Sequence, residues 1–220
     1  MNYSPQEIAD VLDYAVLSPN VGNVAICDGA DFCDRHGIKC FCVASANVYL
    51  ASIYHHNVAS VIGFPHGNMS PRAKLEEAKQ AVSDGAKELD VVVNYGRFNT
   101  GDYGIIKEEL GRLTTFAHHH NVIVKAILET CTMDGLSITS ACEECIEAEV
   151  DYVKTSTGFG SHGATEAAVQ TMLEAVEGTG IKVKASGGIK SYRDAKKYLD
   201  MGCKRLGTSR YEELLPCETD

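Results

Sequence analysis

Positive charge is scarce in this chain: 20 lysines and arginines face 30 aspartates and glutamates, for a formal net charge of −10. Such a field repels polyanions at long range, and no basic patch offsets it, so neither a nucleic acid nor an anionic membrane is an expected partner. Long apolar runs are also missing. No stretch approaches the ~18 residues that a membrane span requires, and positions 1–18 carry no basic lead before an apolar segment. The expected compartment is therefore the cytoplasm. A disulfide framework is absent as well, because nine cysteines, an odd number, are scattered from Cys27 to Cys217 without paired spacing. Reduced thiols are expected. Finally, no Pro/Ser/Gly-rich linker interrupts the chain, which at 220 residues is expected to form one domain spanning 1–220.

What the sequence does contain is an alternation. Runs suited to strands occur at 14–17, 39–43, 60–64, 89–94, 123–129, 152–156, 182–185 and 205–207, eight in all. Helical patterns lie between them, with recognisable starts. Ser4-Pro5-Gln6-Glu7 is a capping box with proline in the first turn, Ser70-Pro71 repeats the Ser-Pro start, and Ser191 precedes Ala195 and Leu199 at helical spacing. Gly85 suits a helix end. Eight strand–helix units in a chain of this length fit a closed (β/α)8 TIM barrel with an extra N-terminal helix, ahead of an open doubly wound sheet. A closed barrel brings the C-terminal strand ends to one mouth, where such folds place their chemistry.

Three charged side chains fall inside these otherwise buriable runs: Asp90, Lys154 and Lys184. Strand alternation puts Asp90 on the face opposite Leu89 and Val91, and Lys154 opposite Val153. The plainer account of any one lysine is a salt bridge, or a stem lying along the barrel with its head in solvent. Two lysines and an aspartate converging from strands four, six and seven are harder to explain that way, since unpaired buried charge costs several kcal/mol.

A lysine attacks a carbonyl only as the neutral amine, and its ordinary pKa of about 10.4 must fall for that form to exist at neutrality. Desolvation and a second nearby cation both act in that direction. The resulting iminium withdraws electrons from the adjacent carbon, so a carbanion equivalent develops there without a metal ion or other cofactor. Asp90, reaching the lysine pair through water, has the chemistry for proton transfer in carbinolamine dehydration and at the enamine carbon. Which lysine reacts is left open by the spacing.

The segments Glu88-Leu89-Asp90-Val91-Val92-Val93-Asn94, Val153-Lys154-Thr155-Ser156-Thr157-Gly158-Phe159-Gly160 and Val183-Lys184-Ala185-Ser186-Gly187-Gly188-Ile189 resemble the deoxyribose-phosphate aldolase family, as does Gly63-Phe64-Pro65-His66-Gly67. The similarity runs in order from about Glu7 to Leu215, and the Lys-Thr-Ser-Thr-Gly block is highly specific. The resemblance implies reversible cleavage of 2-deoxy-D-ribose 5-phosphate to acetaldehyde and D-glyceraldehyde 3-phosphate. It implies Lys154 as the Schiff-base nucleophile, Lys184 as the lysine that lowers its pKa, and Asp90 as the proton-transfer group. It also aligns Asp13 and Lys125 with supporting polar groups and Cys42 with a pocket-facing cysteine, which as a buried thiol is better read as a small apolar side chain than as a nucleophile. A homodimer enters only by analogy. The competing readings are a related Schiff-base aldolase for another sugar phosphate and a sugar-phosphate-binding barrel without turnover.

The partner expected is thus a small phosphorylated sugar, with aldehydes. Barrel enzymes often hold phosphate at the loops after strands seven and eight, and here those loops contain Gly187-Gly188 and Gly207-Thr208-Ser209. A short helix beginning near Ser209 would aim its positive end at the anion, and the resemblance adds Thr157-Gly158. Four positions depart from the family pattern: Ala15 where a threonine is common, Ala44-Ser45 in place of Asn-Pro, and Arg210 where some members carry a second serine. No tyrosine closes the C-terminus as in certain members.

Other motifs are set aside. Gly158-Phe-Gly160-Ser-His-Gly163 spells G-x-G-x-x-G, but no acidic residue ends the next strand run where a ribose-binding carboxylate belongs. Cys142-Glu-Glu-Cys145 lies in a helical pattern with no second pair, and His118-His119-His120 suits the negative end of a helix. Asn68-Met69-Ser70 meets the glycosylation pattern without a secretory context.

Overall fold

A computed structural model describes residues 2–214 of the chain; Leu215 and Cys217 lie outside the described residues. In order, the elements are α1 (Pro5–Ala9), β1 (Leu12–Val16), α2 (Asn23–Arg35), β2 (Cys40–Ala44), α3 (Val48–Tyr54), β3 (Val58–Ile62), α4 (Pro71–Ser83), β4 (Glu88–Val92), α5 (Tyr95–Phe98), α6 (Ile105–His119), β5 (Ile123–Ile127), α7 (Gly135–Glu147), β6 (Tyr152–Lys154), α8 (Glu166–Ala175), β7 (Lys182–Ser186), α9 (Tyr192–Met201) and β8 (Arg205–Thr208). The strands pair in sequence order, all parallel, and β8 closes on β1. This is a (β/α)8 TIM barrel, with α1 as the extra N-terminal helix. No helix among the described residues is long and apolar enough to cross a membrane.

Local chemistry sets the helix starts as expected. The Ser4 hydroxyl accepts the Glu7 amide while the Glu7 carboxylate accepts the Ser4 amide, and Ser70 and Ser191 cap α4 and α9 through their hydroxyls. Gly85, at φ +113°, lets the chain turn away from α4 where a side chain would be strained. The eight strands occupy the runs expected, with shifted ends. The run at 152–156 pairs only as far as Lys154, and that at 123–129 stops at Ile127, because the following residues leave the ladder to build the mouth. Glu129 already adopts a left-handed conformation, φ +56°.

The alternation of each strand divides two interiors. Leu89, Val91, Val124, Ala126, Val153, Val183, Ala185 and Leu206 belong to the main core, which includes buried positions of the surrounding helices such as Ile26, Ala78, Leu110, Leu113 and Ala141. Burying each such branched side chain fully contributes about 1.5–3 kcal/mol. Gly29 lets α2 approach the sheet, since a Cβ there would come within 2.8 Å of the Phe41 ring. The opposite parity points to the barrel axis. There Asp90 lies beside Lys125, Lys154 beside Lys184, and Lys184 beside Arg205 in adjacent strand registers.

Candidate active site

The inward positions of β4 to β8 and β1 form one continuous ionic network. Asp90 is fully buried and accepts from three lysine Nζ groups: Lys125 on Oδ1 at 2.6 Å, and Lys154 and Lys184 on Oδ2 at 2.6 and 2.7 Å. Lys184 also donates to Asp13 Oδ2, while Arg205 donates to Asp13 Oδ1 through Nε at 2.7 Å. Lys125 reaches Glu88 Oε2 at 2.5 Å and Asp13 Oδ2 at 3.2 Å, and Arg205 reaches Glu88 Oε2 at 3.2 Å. Asn57 Nδ2 completes the partners of Glu88 at 2.9 Å. One expectation is corrected here: Asp90 contacts the lysine pair directly rather than through water. Asp13 and Lys125, expected as supporting polar groups, are members of the same network.

Of the four interior cations, Lys154 has the fewest partners, a single carboxylate oxygen. Burial pushes its pKa below the ordinary lysine value, and the neighbouring Lys184 cation adds to the fall against the opposing attraction of Asp90. Lys184 and Lys125 go the other way. Burial disfavours their charge too, but Asp13 and Asp90 together outweigh it for both, with Glu88 adding to the pull on Lys125, and hold both ammoniums above the usual range. Asp90 is held well below the carboxylate range, since Lys125, Lys154 and Lys184 outweigh its burial. The lysines are thus pushed apart, Lys154 downward and Lys184 and Lys125 upward.

Above this network opens a cavity of about 560 Å³ at the C-terminal ends of the strands. Asp13, Cys42, Lys154, Thr157, Gly158, Lys184, Gly187, Gly188, Gly207 and Ser209, all singled out in the sequence, line it. Asp90 and Lys125 do not; they lie beneath its floor, reaching it through Lys154 and Lys184. The glycine-rich loops pack tightly. Gly163 takes its place in the loop after β6 because a Cβ there would lie 2.0 Å from the Gly187 carbonyl oxygen, and Gly187 and Gly188 both hold positive φ. Lys190 and Arg210 add positive charge to the rim. The helix expected near Ser209 is instead a three-residue 3-10 turn at Glu212–Leu214, two of whose residues are acidic, so it offers no positive end to an anion at Ser209.

The opposite wall is apolar. Cys40, Cys42, Ala59 and Val61 form a separate buried cluster inside β2 and β3, joined by Ala15, Leu17 and Phe64. Burial pushes the Cys42 thiol up to about 11, so it is a neutral wall group. Phe159 stands edge-on to Phe64, ring centres 5.2 Å apart, across the mouth. Sequence reasoning missed Glu88, Arg205 and Glu129. The first two sit two residues from an assigned inward position or at a strand start, where strict alternation would have found them. Glu129 carries no such signal: its carboxylate is buried by a left-handed turn and accepts the Thr157 hydroxyl, whose oxygen accepts the Phe159 amide at 3.0 Å.

Cys142 and Cys145 are buried on α7, and His118 ends α6 with Nε2 3.0 Å from Asp151.

The chain as a whole has counterparts. The family model described as DeoC/LacD family aldolase matches residues 30–209. A deoxyribose-phosphate aldolase of Thermococcus kodakarensis is 40% identical over 210 residues, covering 93% of this chain and 93% of that protein. One from Caldanaerobacter subterraneus is 38% identical over 211 residues, covering 94% and 91%. Among solved structures, the tetrameric deoxyribose phosphate aldolase of Aeropyrum pernix superposes with a TM-score of 0.89 at 29% identity, covering 96% of this chain and 90% of that one. With a lysine of depressed pKa facing a cavity at the mouth of a barrel of this kind, the chain belongs to the DeoC/LacD family of aldolases.

Proposed function

We propose that this aldolase reversibly cleaves 2-deoxy-D-ribose 5-phosphate to acetaldehyde and D-glyceraldehyde 3-phosphate through a Schiff base on Lys154. The observation that carries the reading is the position of Lys154: it borders the cavity, has one carboxylate partner, and, unlike Lys125 and Lys184 beside it, has its pKa pushed down. Its neutral Nζ attacks C1 of the open-chain sugar. Asp90, bonded to that Nζ, receives the amine proton, and loss of water from the carbinolamine gives the iminium. The C2–C3 bond then breaks as the C3 hydroxyl loses its proton, its electrons pass into the iminium, and glyceraldehyde 3-phosphate leaves. Protonation of the enamine at C2 and hydrolysis release acetaldehyde and restore the amine.

Lys184 keeps its proton, depresses that of Lys154, and is the acid nearest the reacting atoms. Lys125 and Asp13 hold Lys184 and Asp90 in place, and Cys42 belongs to the wall. The phosphate end is assigned to the loops of Thr157, Gly158, Gly187, Gly188, Gly207 and Ser209, whose open backbone suits close approach by an oxyanion. Eight cysteines among the described residues carry free thiols, which supports a reducing, cytoplasmic setting. Whether copies pair as a homodimer is a question for solution measurements of mass.

Borohydride reduction in the presence of acetaldehyde, followed by mass mapping, tests the chemistry. A stable adduct on Lys154, lost in Lys154→Ala, is expected. Trapping at Lys184 instead would reverse the lysine roles, and the absence of any adduct would favour a binding barrel.

A further inference from the structure

The ionic network can be counted. Three carboxylates, Asp13, Glu88 and Asp90, face four cationic side chains, Lys125, Lys154, Lys184 and Arg205, all buried. If Lys125, Lys184 and Arg205 are charged, three positive charges meet three negative ones. A fourth would stand uncompensated in a buried space, at a cost of several kcal/mol. The amine that gives up its proton is the one with least to lose, Lys154.

We infer that Arg205 is a positioning residue for this reaction: by completing the charge balance of the barrel interior, it keeps Lys154 neutral and reactive. The inference rests on Lys154 being the Schiff-base lysine. Arg205 does not line the cavity and touches no reacting atom; it acts through Asp13, which it shares with Lys184, and through Glu88, which it shares with Lys125. Facing Lys154 are Asp90 from β4, Lys184 from β7 and Cys42 from β2. Facing Arg205 are Asp13 from β1, Glu88 from β4 and Cys40 from β2, with Lys125 from β5 bonded to the same two carboxylates. Burial raises the pKa of both thiols, so they stay neutral and leave the count unchanged.

Two substitutions move the balance in opposite senses. Arg205→Met leaves three carboxylates with two permanent cations, so Lys154 becomes the third and holds its proton. Glu88→Gln removes one carboxylate and makes the proton on Lys154 still less favourable. The strands β6 and β8 are two interstrand spacings apart, roughly 10 Å. A unit charge at that distance, at an effective dielectric constant of about 20, shifts a pKa by about one unit.

The test is the rate of borohydride trapping of acetaldehyde as a function of pH, with circular dichroism verifying each fold. The midpoint should move about one unit alkaline in Arg205→Met and about one unit acid in Glu88→Gln, and return to the parent value in the double variant. Rescue by a second deletion is not what a merely structural arginine would give. A folded single variant with an unmoved midpoint overturns the inference, as does a double variant that stays shifted. If Arg205→Met does not fold, Glu88→Gln decides alone: an acid shift supports the inference and any other result overturns it. A parent protein that forms no adduct sinks the Schiff-base reading and the inference together, whereas an adduct with unmoved variants sinks the inference only.

Discussion

Replacing Lys184 by leucine removes the positive charge that acts most strongly on Lys154. Both ammoniums donate to Oδ2 of Asp90, at 2.6 and 2.7 Å, so their nitrogens lie within about 5 Å of one another. Lys184 is 1% exposed, and solvent screens the pair little. Two unit charges at that separation and an effective dielectric constant of about 20 repel by about 3 kcal/mol, which is about two pH units. The sign follows from the reactive form. Removing a neighbouring positive charge makes the Lys154 ammonium easier to keep, so its pKa rises and the neutral fraction at pH 7 falls.

The expected result is therefore a kcat/KM profile whose acid limb moves about two units alkaline, with roughly a hundredfold loss at neutral pH recovered in base. Folding should survive. Asp13 keeps Arg205 and Lys125 as partners, and Asp90 keeps Lys125 and Lys154, so no carboxylate is left alone. The assay is cleavage of 2-deoxyribose 5-phosphate from pH 5 to 10, with borohydride trapping of acetaldehyde as a second readout. A uniform fall in rate with an unmoved acid limb would refute the tuning role, since it would mean that Lys184 matters for some reason other than its charge.

Two more perturbations probe what surrounds this network. Gly163→Ala drives a methyl group into the Gly187 carbonyl, 2.0 Å from the ideal Cβ, and so parts the two loops assigned to the phosphate; KM for the phosphorylated sugar should rise roughly ten- to a hundredfold while acetaldehyde trapping is unchanged, and equal damage to both would argue against that assignment. Lys74 and Glu109 form a buried pair outside the barrel, 2.7 Å apart, and clasp the end of β4 through the Val92 carbonyl and the Asn94 amide. Truncating either partner should lower stability by about 3 kcal/mol or more, roughly 6 °C or more in Tm, whereas Lys74→Met with Glu109→Leu should cost less than the two singles combined. Additive losses in thermal melts would show that the pair does not act as a unit.

The parts of the site that were legible in the sequence are those governed by strand parity. Asp90, Lys154 and Lys184 each interrupt an apolar run, and alternation alone turns them toward the axis, where they meet. Glu88 and Arg205 obey the same parity but sit at the first residue of their strands, a position where a charged side chain ordinarily reaches solvent. They are held in the interior by partners distant in sequence, Glu88 by Lys125 and Arg205, and Arg205 by Asp13 and Glu88. Strand ends were misjudged for a related reason. Leu128 and Glu129, like Thr155 and Ser156, remain buried after the ladder ends, because the mouth of the barrel continues the interior upward. Burial and strand pairing, which coincide along the rest of each strand, separate there.

The interior is thus asymmetric, and the asymmetry is what makes a neutral lysine feasible. Burial is the largest cause of the depressed Lys154 pKa, and burial also acts to lower the pKa values of Lys125 and Lys184. They keep their protons because each holds two or three carboxylates, whereas Lys154 meets one that is already claimed by two other cations. On the other side Ala15 and Cys42, which line the same cavity as Lys154, offer it no compensating oxygen. A hydroxyl or carboxylate there would give the ammonium a second acceptor and favour the charged form. The small neutral side chains of β1 and β2 therefore contribute to reactivity by what they withhold, and the carboxylates of β1 and β4 by the cations they have already engaged.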